Sequence, residues 1–229
     1  MAQQQTTTNA PAATGFRVQQ AWSTPLYFAT WDRHSQEAPG IIEHLYELKS
    51  KESKSIASGV APGAKPLPGL FESKFDLFTS QHPGMRKLIA FVGSTLTSAI
   101  VHVNGGKLDA GRIRVSAVES WFHITNQGAF HDGHHHHNCS WCGIYYVRTG
   151  DNDEDSPPRN GCSRFYSPIA QGGTYFDFGN EYLRNGIYDI TPEDGMLVLF
   201  PSYLLHSALP YKGKTDRIVI AFNSQASRK

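Results

Sequence analysis

Charge is scarce in this chain: Asp, Glu, Lys and Arg make up 18% of its 229 residues, against roughly a quarter in an ordinary domain. The two signs nearly cancel, to a formal net charge of +1, and no basic or acidic run is long enough to act as the electrostatic footprint of a nucleic-acid or membrane-surface binder. Long hydrophobic runs are missing too. The longest, Leu88 to Val103, is interrupted by Gly93, Ser94, Thr95 and Thr97 and falls short of the roughly 18 apolar residues of a membrane span. Three cysteines cannot close a disulfide set, and the opening MAQQQTTTNAPAATG lacks the charged start and apolar stretch of a secretory signal. The expected setting is reducing and cytoplasmic, with a small molecule as partner.

What is present suffices for a core: 39% of the residues are hydrophobic and 12% aromatic. The length suits one fairly large domain. Residues 1–18 have little to bury and are expected to form a disordered leader, leaving 19–229 as a single domain. Two helical stripes come first. Pro39-Gly40 opens Ile41, Ile42, Leu45 and Leu48; Pro83-Gly84 opens Met85, Leu88, Ile89, Val92, Leu96 and Ile100 at a 3.6-residue period. Trp22 to Thr30, with Pro25, reads as an edge strand, and Gly59 to Gly69 as a loop.

From Arg112 the period changes to two, in RIRVSAV, SWFHIT, GIYYVR, TYFDF, MLVLF and RIVIAF. Two helices followed by many short strands predict a mainly β, α+β arrangement, an antiparallel barrel or sandwich braced by N-terminal helices. The acidic stretch from Asp151 to Cys162 lacks the Gly and Glu spacing of a calcium loop and reads as a connection.

His131 and the run His134 to His137 place five imidazoles within seven residues. In extended chain His134 and His136 point to one side, and His135 and His137 to the other. A His-x-His pair can grip one metal ion, and His206, in PSYLLHSALP, is the natural third ligand because an imidazole among strand formers needs a partner. Cys139 and Cys142 form a Cys-x-x-Cys, but no second pair at zinc-site spacing accompanies it. Arg217, in the apolar strand DRIVIAF, is suited to a two-pronged salt bridge with the far carboxylate of 2-oxoglutarate, whose keto-acid end can chelate iron. Tyr145 and Tyr146 lie on opposite faces of one strand, so one can offer its phenol to the cosubstrate; alternation does not say which.

The segments ESWFHITNQGAFHDGHHHHNCSWCGIYYV and GMLVLFPSYLLHSALPYKGKTDRIVIAFN resemble a family of 2-oxoglutarate and Fe(II)-dependent oxygenases. That resemblance implies a double-stranded β-helix, a jelly-roll, cupin-like barrel, with His134, His136 and His206 as Fe(II) ligands and Arg217 as cosubstrate anchor. It places Trp121, Asn126, Tyr145, Tyr146 and Asn223 on pocket-side positions, with Tyr145, Tyr146 and Asn223 toward the cosubstrate. It also implies a reaction of O2 and 2-oxoglutarate with a small-molecule C–H bond, releasing succinate and CO2. Trp121, His123, Asn126, His131 and Trp141 are candidate substrate walls. His135, His137 and Cys142 depart from the family pattern. The usual His-x-Asp or His-x-Glu is also missing, so Asp132 or Asp177 stays open as a ligand in place of a histidine. Two other activities stay open, a three-histidine cupin dioxygenase working without 2-oxoglutarate and a non-catalytic metal-binding cupin. So does a homodimer.

Overall fold

The computed structural model describes residues 23–52, 67–151, 158–169 and 186–229. The expected leader, most of the Gly59–Gly69 loop, the strand expected at TYFDF and Asp177 lie outside them. Two antiparallel sheets carry the fold. The larger has the order β1 (Tyr27–Thr30), β8 (Met196–Pro201), β5 (Trp141–Arg148), β10 (Arg217–Arg228), β3 (Ile113–Thr125), β2 (Leu70–Glu72). The smaller has the order β4 (Ala129–His134), β9 (His206–Tyr211), β6 (Ser163–Tyr166), β7 (Ile187–Ile190). This is the double-stranded β-helix that the resemblance implies.

Helix α2 (Pro83–Val103) starts on its proline, where the missing N–H is one that a helix start leaves unpaired anyway, and buries the expected stripe of Met85, Leu88, Val92, Leu96 and Ile100. Helix α1 (His34–Lys51) begins five residues before the expected Pro39, which lies inside it. Pro39 is the sixth residue of that helix, so its missing N–H leaves the carbonyl of Ser35 without its intrahelical donor. Runs RIRVSAV and SWFHIT fuse into the single strand β3, paired along its length with β10 across one bulge at Asn223/Ser224. Among the described residues no helix is long and apolar enough to cross a membrane.

Alternation divides the core in two. Ile218, Ile220 and Phe222 of β10, Tyr145 and Val147 of β5, and Phe122 and Ile124 of β3 pack with α1 and α2 on the outer face of the larger sheet. Val219, Cys142, Tyr146 and Val198 face the other way, into a second cluster with Phe165, Phe200 and Leu204. Helices thus cover one face of the sheet and free the other to line a pocket. Gly143 shows how tight the junction is: a Cβ there would lie 2.1 Å from Cζ of Phe222. Gly143→Ala should therefore lower the unfolding free energy by about 1–3 kcal/mol through overpacking, read as a lower urea midpoint.

Candidate metal centre and pocket

His134 ends β4 and His206 begins β9, and the two are direct cross-strand partners. His136 follows in the connection beyond β4, held by its backbone N–H donating to the carbonyl of Ser202 at 3.1 Å. So the His-x-His pair straddles a strand end instead of lying on a strand, while His135 and His137 are exposed and face each other, centroids 4.7 Å apart. Ligand atoms of His134, His136 and His206 all lie within 4.8 Å of one another, close enough for one ion. Asp132 is exposed and stands outside that set.

Surrounding carbonyls prepare two of the three rings. Nδ1–H of His134 donates to the carbonyl of Asp132 at 2.7 Å and Nδ1–H of His206 to that of Leu204 at 2.9 Å, which leaves each Nε2 lone pair for a metal. The Asn223 amide lies behind the third, with Nδ2 3.3 Å from Nδ1 of His136 and donating to Glu119 at 2.7 Å, while its Oδ1 accepts from the Cys142 thiol. Burial keeps His206 and His136 uncharged, taking the first down to about 3 and the second to about 4; in each case the neighbouring His134 adds to the effect. Neutral nitrogen donors are what an iron, nickel or zinc ion requires.

Arg217 is 3% exposed, on the pocket face of β10. Asp216, the neighbour of Arg217 in sequence, accepts from Tyr46 and Asn126, and Asp151 accepts from the backbone N–H groups of Lys214 and Thr215. No salt bridge to Arg217 forms among the described residues, and its Nε is buried with no hydrogen-bond partner. Burial pulls its pKa down, partly opposed by Tyr146. Tyr146 lies under the guanidinium, 5.4 Å from Cζ to ring centroid, and donates to Ser163 Oγ at 2.7 Å. An unpaired buried guanidinium costs several kcal/mol, so a carboxylate fits the site on energetic grounds.

The pocket between the sheets joins these groups, lined by the three histidines, Arg217, Trp121, His123 and His131 among others. Other expected site residues lie apart. Tyr145 faces the helices, 2.7 Å from His34 Nδ1, and Trp141 packs there against Tyr27. Asn126 binds Asp216 and the backbone of Gly213. Glu72, which sequence reasoning passed over, is fully buried opposite His123, with Oε2 2.7 Å from His123 Nε2. A carboxylate in the apolar run GLFES is the signal that could have marked it.

Residues 119–223, the span that contains His134, His136, His206 and Arg217, match the family described as "Putative 2OG-Fe(II) oxygenase". No curated protein matches the chain. Similar solved structures include the prolyl-4-hydroxylase of Pseudomonas putida, 16% identical with a TM-score of 0.57, covering 89% of this chain and 94% of that one. HygX from Streptomyces hygroscopicus, solved with nickel, 2-oxoglutarate and hygromycin B, is 13% identical with a TM-score of 0.57, covering 88% and 83%. The non-haem α-ketoglutarate-dependent epimerase SnoN of nogalamycin biosynthesis is 13% identical with a TM-score of 0.57, covering 89% and 78%. At these identities the likeness is one of fold.

Two outcomes follow for the metal-free protein. Above pH 6.5 folded and unfolded states both hold neutral His206; below it the unfolded chain takes up a proton that the folded one refuses until about pH 3. Stability should thus fall as pH drops through that window, and His206→Gln should flatten the dependence of the melting temperature. Arg217→Met removes an unpaired buried charge and should raise apo stability by about 1–3 kcal/mol in denaturant titrations.

Proposed function

We propose that residues 19–229 form one non-haem Fe(II) and 2-oxoglutarate-dependent dioxygenase domain that hydroxylates a C–H bond of a small molecule and releases succinate and CO2. One observation carries this reading: three convergent imidazoles and a buried guanidinium without an acidic partner open into the same pocket. The similar structures named above support the cosubstrate, since one holds nickel and 2-oxoglutarate together and another is named for its α-ketoglutarate dependence.

His134, His136 and His206 would hold the iron, which when bound supplies the one-electron chemistry that activates O2. Three neutral ligands leave the full charge of the ion in place, so the site attracts an anionic keto acid more strongly than a set with a carboxylate would. Arg217 receives the far carboxylate, with Tyr146 beneath it and Ser163 holding the phenol in place. Trp121 and Phe200 wall the pocket and exclude water. Of the two oxygen atoms of O2, one ends in the new hydroxyl group and the other in succinate.

A direct dioxygenase without keto acid, with Arg217 on the substrate's own carboxylate, is the second reading, and the all-histidine ligand set favours it. Anaerobic addition of Fe(II) and 2-oxoglutarate should give a weak visible charge-transfer band that Arg217→Ala abolishes, and admitting O2 should yield succinate. O2 uptake without succinate would select the second reading. His136→Ala should abolish iron retention, and unchanged metal content in that variant would refute its role as a ligand.

A further inference from the structure

Among the described residues four buried side-chain nitrogen or oxygen atoms have no hydrogen-bond partner, and two of the four, Arg217 Nε and His131 Nε2, belong to residues lining the same pocket. Buried polar atoms are nearly always paired, so two orphans in one cavity point to a ligand able to accept from both. His131 lies on β4 opposite Ala208, three residues before His134, with its ring centroid 6.4 Å from that of His134. It is therefore beside the metal set and outside it.

The ring of His131 packs against His123, centroids 4.2 Å apart, and His123 belongs to a fixed polar wall. The Trp121 indole, which can only donate, gives its N–H to His123 Nε2 at 3.0 Å. Glu72 Oε2 lies 2.7 Å from the same nitrogen. His123 Nε2 is thus engaged by two neighbours and serves as a wall, although the donor atoms of Glu72, His123 and His131 lie within 4.8 Å of one another.

We propose that His131, braced by the Glu72–His123–Trp121 wall, is the second anchor of the far carboxylate of 2-oxoglutarate, donating from Nε2 to the group that Arg217 binds. A neutral imidazole can carry its one proton at Nε2, and an imidazole donor beside the guanidinium gives the carboxylate two bonds in different directions, which fixes its rotation as well as its position. The inference rests on the reading of the pocket as a 2-oxoglutarate site and adds a residue to it.

The test uses the full chain loaded anaerobically with Fe(II), titrated calorimetrically with 2-oxoglutarate and separately with pyruvate, a 2-oxo acid without the far carboxylate. His131→Phe keeps a ring against His123 and removes the donor. It should raise the Kd for 2-oxoglutarate about tenfold and leave that for pyruvate unchanged, while His131→Gln, which keeps an N–H, should recover most of the loss. His131→Leu gives the same comparison if the phenyl ring disturbs folding. An equal loss with both keto acids would put His131 at the metal-chelating end and overturn the inference, as would no loss with either. Iron falling from two equivalents to one in His131→Phe would overturn it in favour of a second metal site. Wild-type protein that fails to bind 2-oxoglutarate at all would overturn the proposed function together with this inference, whereas wild-type binding untouched by every His131 variant would overturn this inference alone.

Discussion

Strand β10 lies between β3 and β5, and its register decides what the pocket contains. Because its side chains alternate, Arg217, Val219 and Ala221 face the smaller sheet while Ile218, Ile220 and Phe222 face the helices. A slip of one residue would drive the guanidinium against α1 and α2, where Ile218 is now fully buried, and put an isoleucine on the pocket face in its place. The neighbouring strands hold the register from both sides. Val219 pairs with His123 on β3 and with Tyr146 on β5, so the same pairing that seats Arg217 brings an imidazole and a phenol onto the pocket face. Close packing of Phe222 over Gly143 locks the opposite face.

The polar interior that results is costly to the fold and useful to the chemistry for one reason, the low local dielectric. Burial holds His123, His136 and His206 neutral, which suits metal ligation and hydrogen bonding alike. The same burial makes an unpaired guanidinium unfavourable, so an acidic ligand at Arg217 would offset a cost that the empty fold carries. Any ligand that binds the folded chain alone stabilises it by mass action, and here iron and keto acid would do so at atoms that the empty fold leaves unsatisfied.

Much of this was legible in the residues. The stripe of α2, the two-residue period of the described runs from Arg112 onward and the alternation of Tyr145 with Tyr146 are local properties, and each matches the observed elements. Local rules failed where the context was tertiary. Pro39 did not start α1, because a proline near a helix start is tolerated once Ile41 and Leu45 are buried against a sheet. Alternation put Tyr145 and Tyr146 on opposite faces without naming the inner one, since both faces of this sheet are covered.

The order of residues by itself determined that the stripe of α2 is apolar, that Arg217 falls in an apolar strand, and that two helices precede a run of strands. Each depends only on backbone periodicity. Tertiary structure alone decided that His206 meets the pair across β9, that Tyr146 and not Tyr145 lies under Arg217, and that Glu72, 51 residues from His123 in the chain, backs it. Those contacts come from pairing between distant strands, and a one-dimensional pattern holds the period of a strand but not the identity of its neighbour.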